Sequence, residues 1–275
     1  MTRTATLPET LVLMGAGKMG GAMLQGWLGA GINPAGLTVL DPNAGADLGA
    51  LAAAHGFRLN PPLSEVKAPE VLVLGIKPQT LDAAAAALAQ LAGPQTLVIS
   101  ILAGKTMANL AVRAPHARAF VRAMPNLPAS VQRGVTGVAA SRDVSDTQKA
   151  VTTALLSGIG AVEWVPGEDY IDAVTAVSGS GPAYVFHMVE CLTEAGIAAG
   201  LPADVAARLA RGTIEGAGEL LHQSPLDPGN LRQNVTSPGG TTAAALDVLM
   251  ADNGLKPLMV RAVAAAKLRA EELSG

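Results

Sequence analysis

Leu11-Val12-Leu13-Met14-Gly15-Ala16-Gly17-Lys18-Met19-Gly20 decides the fold. Four apolar residues in a row read as a strand covered on both faces, since a half-exposed strand would alternate. A Gly-x-Gly-x-x-Gly turn follows at once and opens a helical pattern over Met19–Ala30. Strand, glycine turn and helix in that order are the context in which such a turn binds a dinucleotide. Gly15 permits the tight turn, Gly17 lets a pyrophosphate approach the backbone, and Gly20 lets the helix lie close to the sheet. The whole turn, Gly15, Ala16, Gly17, Lys18, Met19 and Gly20, is the expected cofactor cradle.

Outward from that stretch the same alternation continues. Leu37–Asp41, Val71–Ile76 and Leu97–Leu102 are further unbroken apolar runs, with helical patterns at Ala46–His55 and Leu81–Leu91 between them. The βαβαβ order predicts an α/β fold, a doubly wound Rossmann-type sheet. Ala119–Ala123, Val135–Ala139 and Ala161–Val165 extend the strand count. After Pro166-Gly167 the texture changes to helical patterns at Tyr170–Ala199, Ala203–Leu221, Thr242–Asp252 and Lys256–Glu272. Turns fall at Gly200-Leu201-Pro202 and Asp227-Pro228-Gly229. The expected division is a dinucleotide-binding domain over 1–167 and an all-helical domain over 168–275.

Composition narrows the function classes. At 49% hydrophobic and 15% charged residues, the chain buries more than a monomer's surface, which predicts an oligomer. A net charge of −3 without basic runs speaks against nucleic acid and anionic membranes. Ala83–Gly104 is uncharged but broken by Gly93-Pro94, so it reads as helix, turn and buried strand rather than a membrane span. Leu11–Met14 is too short for the core of a signal peptide, and a single cysteine suits a reducing compartment, so a cytoplasmic protein is expected. Cys191 lies in an apolar helical pattern and is expected in the core. The four histidines form no metal-ligand spacing, and His187 is expected at a helix interface.

Three loops converge on the cofactor end, because ligands gather at the carboxyl ends of parallel strands. Asp41 ends the second run, roughly 20 residues beyond the glycine turn, where a carboxylate accepts from ribose hydroxyls and repels a 2′-phosphate. That spacing favours NADH; the alternative is a turn-capping Asp. Ile76, Lys77 and Pro78 follow the third run, where Lys77 either reaches the cofactor's ribose or phosphates or is a solvated loop lysine. Asn126, in Met124-Pro125-Asn126-Leu127-Pro128, is expected to meet the nicotinamide side.

Near the C-terminus, Asn234-Val235-Thr236-Ser237-Pro238-Gly239-Gly240-Thr241-Thr242 opens an alanine-rich helix. Unpaired N–H groups and the helix dipole make such a start a cradle for a small anion such as a carboxylate.

These pieces together resemble the pyrroline-5-carboxylate reductase family. The resemblance rests on the Gly15–Gly20 turn, Lys77-Pro78, Met124-Pro125-Asn126-x-Pro128, Asp172-Ala173-Val174-Thr175, Ser178-Gly179-Ser180-Gly181-Pro182-Ala183-Tyr184 and the Asn234–Thr242 segment. It implies reduction of L-1-pyrroline-5-carboxylate to L-proline with NADPH or NADH. It also implies a helical domain intertwined with a partner's as a homodimer, with further assembly into a decamer. The family's substrate pocket maps onto Asn234, Ser237, Gly239, Gly240, Thr241 and Thr242. Members commonly favour NADPH through a small polar residue where this chain has Asp41, a departure that leans toward NADH.

The imine carbon of such a substrate takes a hydride and its nitrogen a proton. The nitrogen is basic enough to be partly protonated near neutral pH, which suits a chain whose motifs hold no acid–base dyad. Backbone N–H groups around Ser237–Gly240 are assigned to the carboxylate. Thr242 is assigned as the catalytic residue that hydrogen-bonds the imine nitrogen, the alternative being a helix-start hydroxyl serving its own backbone. Ser178–Pro182 interrupts a helical pattern and either packs a helix or lines the site. Two rival functions remain. A β-hydroxyacid dehydrogenase would need a general base, typically a helix lysine, yet Tyr170–Ala199 has no lysine or arginine. A non-catalytic nucleotide sensor would leave the Ser237–Thr242 cradle unexplained.

Overall fold

The computed structural model describes residues 7–274. Residues 1–6 and 275, at the outer ends of the two expected domains, lie outside the described residues. Among the described residues, eight strands form one sheet in the order β3-β2-β1-β4-β5-β6-β7-β8. They are β1 Leu11–Met14, β2 Leu37–Leu40, β3 Arg58–Leu59, β4 Val71–Leu74, β5 Leu97–Ser100, β6 Ala119–Met124, β7 Gly134–Ala140 and β8 Gly160–Trp164. All neighbours run parallel except β6 and β7. The order reverses between β1 and β4, which makes the crevice above their carboxyl ends the switch point where a dinucleotide binds.

The first helices are α1 Lys18–Gly29, α2 Ala46–His55, α3 Ala85–Leu91, α4 Met107–Arg113 and α5 Asp146–Ser157. The unbroken apolar strands are covered on both faces. Leu11 and Leu13 pack with Met23, Leu24 and Trp27 of α1, while Val12 and Met14 pack with Leu81, Leu88 and Leu91 on the opposite face. The helix expected from Leu81 begins only at Ala85, behind a 3-10 turn at Pro78–Thr80. β3, α4 and α5 were not expected. Both helices open on a capping box, Thr106 with Asn109 and Ser145 with Gln148.

Later come α6 Ile171–Val174, α7 Gly181–Ala198, α8 Ala203–Gln223, α9 Pro228–Asn234, α10 Thr241–Leu249 and α11 Leu255–Ser274. The chain divides into two compact units, one of residues 1–179 with 267–275 and one of residues 180–266. The single helix expected over Tyr170–Ala199 is broken: a 3-10 turn at Glu168–Tyr170, α6, a π-helical turn at Thr175–Gly179, then α7. Pro182 therefore stands in the first turn of α7 and does not kink a helix from inside. Its missing N–H is harmless there, because first-turn N–H groups have no intrahelical acceptor.

In the first unit a single buried arginine ties three segments together. Arg122 of β6 is 4% exposed and pairs with Glu168 at 3.4 Å and Asp172 at 3.5 Å. Glu168 also accepts from the Met107 N–H at 2.7 Å, and Ser274, at the end of α11, donates to Asp172 at 3.1 Å. A guanidinium at the centre of a sheet is tolerable only with such partners.

The helical unit has almost no interior of its own. No residue of α7, α9 or α10 is buried, and α8 buries only Ala206 and Ala210. α7 and α8 pack closely where Gly196 meets Ala206. Cys191 is exposed in the single chain, contrary to expectation, with its sulfur 3.5 Å from His187 Nε2. His187 is likewise exposed and pairs with Glu190 at 2.8 Å. Cys191 was expected in the core and His187 at a helix interface; in one chain both are exposed.

Candidate active site

The expected cofactor turn is built by close backbone packing at the ends of β1 and β4. Gly15 donates to Leu40 O at 2.8 Å, and Gly75 donates to Met14 O at 2.7 Å, so the two strand ends carry their ladder into the turn. Gly15 has φ +88°, and a Cβ there would lie 2.7 Å from the Gly75 backbone. A Cβ on Gly20 would drive into the carbonyl oxygen of Gly15. Gly17 differs: it is the residue before α1, it is exposed, and a Cβ on it would meet nothing within 4 Å. Two glycines are thus needed for packing, while the third leaves open space over the start of α1. That helix has no side-chain cap and no acid in its first turn, so its N–H groups face that space unopposed.

Asp41 stands beside this turn, and both its oxygens are engaged. One accepts from the Ala16 N–H at 2.8 Å, the other from the Asn43 N–H at 2.8 Å. Asp41 thus caps its own turn and also clasps the glycine turn. Asn60 was missed by sequence reasoning. It has φ +48°, accepts from Asp41 N–H and donates to Asp41 O, both at 2.7 Å. The available signal was residue type alone, since Asn tolerates the left-handed region better than most residues.

Ile76 is half-buried against the core, and Lys77 is exposed at the head of the Pro78–Thr80 turn. The Lys77 carbonyl accepts from the Thr80 N–H and hydroxyl at 2.9 and 2.8 Å. Asn126 has both ends of its side-chain amide engaged by backbone: Oδ1 accepts from the Val135 N–H at 3.0 Å and Nδ2 donates to Ser178 O at 3.1 Å, in a residue only 8% exposed.

The segment expected to hold a carboxylate lies in the helical unit. Asn234 ends α9, a helix that was not expected behind the turn at Asp227-Pro228-Gly229. Ser237-Pro238-Gly239-Gly240 forms a turn closed by Gly240 N–H to Ser237 O at 3.0 Å, with Gly239 at φ +70°. Proline second and a positive-φ glycine third is the type II arrangement. Gly240 then heads α10 with no side-chain cap and no acid in the first turn. The first bond of the helix is Ala244 N–H to Gly240 O, so the N–H groups of Thr241, Thr242 and Ala243 have no intrahelical acceptor. Asn234, Ser237, Gly239 and Thr241 are exposed and Thr242 is half-buried. A Cβ on Gly239 would meet nothing within 4 Å. The turn is shaped to present main-chain donors to a small anion.

Two family profiles match the chain. One described as pyrroline-5-carboxylate reductase dimerisation covers residues 168–273, and one described as NADP oxidoreductase, coenzyme F420-dependent, covers residues 10–104. The chain is 39% identical to a pyrroline-5-carboxylate reductase of Pseudomonas aeruginosa over 96% of both proteins. This chain belongs to the pyrroline-5-carboxylate reductase family. A Synechocystis pyrroline-5-carboxylate reductase is 46% identical over 74% of this chain and 75% of its own length. A solved pyrroline-5-carboxylate reductase from Coxiella burnetii matches with a TM-score of 0.86 at 32% identity, covering 99% of this chain and all of that one. The Plasmodium falciparum pyrroline carboxylate reductase, solved with NADP bound, matches with a TM-score of 0.76 at 27% identity over 99% of this chain and all of that one. Among the described residues no helix is long and apolar enough to cross a membrane.

Proposed function

We propose that this chain is an NAD(P)H-dependent reductase that converts L-1-pyrroline-5-carboxylate to L-proline, the last step of proline biosynthesis. The observation that carries the reading is the uncapped, acid-free start of α10 behind the Ser237–Gly240 turn, in a chain that matches these reductases along nearly its whole length. Residues 1–167 would hold the dinucleotide. Residues 168–275 would bind the substrate and join a second copy as an intertwined dimer, with five dimers making a decamer. A cytoplasmic location suits the single cysteine.

Gly15, Ala16, Gly17, Lys18, Met19 and Gly20 take the pyrophosphate, with Ile76, Lys77 and Pro78 along the ribose and phosphates and Asn126 near the nicotinamide. The bound cofactor supplies the hydride. The main-chain N–H of Gly239 and those of the first turn of α10 take the substrate carboxylate, which fixes the ring; Asn234, Ser237, Gly240 and Thr241 border it. The Thr242 hydroxyl hydrogen-bonds the imine nitrogen and stabilises the protonated iminium as C=N becomes C–N. No strong protein acid is required, and the rate comes chiefly from orientation. For the cofactor we favour NADH, because a 2′-phosphate would bring further negative charge against an Asp41 already held in place by two backbone N–H groups. Steady-state turnover of L-1-pyrroline-5-carboxylate with NADH and with NADPH tests both parts. Turnover with a higher kcat/KM for NADH is expected; absence of turnover from folded, nucleotide-binding protein would overturn the activity, and a preference for NADPH would overturn the role of Asp41.

A further inference from the structure

Two sequence motifs make no specified contact in that chemistry: Met124-Pro125-Asn126, placed only near the nicotinamide, and Ser178-Gly179-Ser180-Gly181-Pro182. Hydrogen bonding makes them one device. In a helix the carbonyl of Ser178 would accept from the N–H four residues on, but that residue is Pro182, which has no N–H. The next candidate, the Ala183 N–H, donates instead to Ser180 O at 3.0 Å. A half-buried carbonyl robbed of its helical donor needs another partner. Asn126 Nδ2 is that donor, at 3.1 Å.

The other end of the same amide accepts from the Val135 N–H at 3.0 Å, near the start of β7. A donor end facing a carbonyl and an acceptor end facing an N–H admit only one orientation of the amide. The backbone carbonyl of Asn126 is engaged as well, accepting from Ala129 N–H at 3.1 Å. The turn so held is the π-helical segment Thr175–Gly179. Its Gly179 lies against Met124 at the end of β6, close enough that a Cβ would sit 3.0 Å from the Met124 methyl. Two further side chains tighten the turn: Thr175 donates to Ile171 O at 2.8 Å and Ser178 donates to Val174 O at 3.0 Å. Single π-turns of this kind are frequent at functional sites.

We propose that Asn126 is a positioning residue for hydride transfer and not a ligand of the cofactor. Its amide replaces the donor that Pro182 removes, and so fixes the π-turn against the carboxyl end of β6, where the nicotinamide lies in the reading above. The proposal rests on that reading for its catalytic consequence; the brace itself does not depend on it.

The test is a cycle in the full-length enzyme: Asn126→Ala, Pro182→Ala and the pair together. Pro182→Ala returns an N–H to the position that serves Ser178. Asn126→Ala is expected to lower kcat at least about tenfold, with the dissociation constant of the reduced nicotinamide, followed by fluorescence, within about twofold. In the Pro182→Ala background the same change is expected to cost less than about threefold in kcat and a smaller drop in Tm. Asn126→Asp keeps the acceptor for Val135 and loses the donor for Ser178, so it should fall with Asn126→Ala, which guards against a simple cavity effect. Equal losses in the two backgrounds overturn the proposal. So do a kcat near that of the parent, or weakened nicotinamide binding in proportion to the lost rate, which would make Asn126 a ligand. Failure of the parent enzyme to turn over pyrroline carboxylate would count against the function alone, while the coupling in Tm still decides the brace.

Discussion

The sheet unit and the helical unit solve the burial problem in opposite ways. In the sheet unit Leu13, Leu72 and Val73 are fully buried, and both faces of the sheet are filled from its own sequence. In the helical unit Phe186 is 56% exposed, Leu220 61% and Val260 61%, on helices as long and regular as any in the protein. Exposed apolar area of that extent marks an interaction surface, and helices of this kind draw their stability from packing rather than propensity. One unit carries its core within one chain; the other carries half of a core. The match of residues 168–273 to a dimerisation profile agrees with that division of labour.

The largest expected effect attacks the missing half. Phe186→Glu places a carboxylate on the exposed apolar face of α7 and should convert the assembled species to single chains, read by light scattering. Val112, 78% exposed on α4 of the sheet unit, is the control. Val112→Glu should leave the mass unchanged and the stability within about 0.5 kcal/mol.

Within the sheet unit, removing Arg122 leaves Glu168 and Asp172 unpaired around a buried gap. Arg122→Ala should cost about 3–5 kcal/mol in chemical denaturation. Its counterpart in the helical unit is Arg208, paired with Asp204 one helical turn away and well exposed. Arg208→Ala should cost under about 0.5 kcal/mol. A similar cost for both would erase the contrast between the units.

Two smaller effects separate the halves of the site. Thr242→Val keeps the shape of the side chain, removes the hydroxyl, and should lower kcat/KM by roughly tenfold, about 1.4 kcal/mol. Nicotinamide affinity should not move with it. Asp41→Ser removes a carboxylate from the glycine turn and should shift the ratio of kcat/KM toward NADPH by about fivefold, the scale of one net hydrogen bond of about 1 kcal/mol. Unchanged preference would reduce Asp41 to a turn cap.

How much could be read beforehand also differs between the units. The parallel strands were legible because burial on both faces writes an unbroken apolar run, as at Leu11–Met14 and Leu97–Ser100. β3 was not, because two residues, Arg58–Leu59, carry no pattern. α4 and α5 were announced by Thr106…Asn109 and Ser145…Gln148, capping signals that periodicity alone passes over. α9 was hidden by its own start: Asp227-Pro228-Gly229 reads as a turn, yet Asp227 accepts from Asn230 N–H at 3.0 Å and Pro228 takes the first helical position.

In the helical unit the long helices were legible, but the fate of their apolar residues was not. Cys191 and His187 sit on a helix whose pattern promises an interior that a single chain does not contain. The cofactor turn was predictable glycine by glycine, including the open space at Gly17. Asn126 was not, because its partners, Val135 and Ser178, are backbone groups and leave no trace in residue identity.

A helical unit that takes its core from a second copy should be competent in catalysis only in that assembly. Size-exclusion chromatography with in-line light scattering, with each fraction assayed for reduction of L-1-pyrroline-5-carboxylate, decides the point. Activity should coincide with species of two or more 27.6 kDa chains and be absent from any single-chain fraction. Full specific activity in a stable 27.6 kDa fraction would contradict the account.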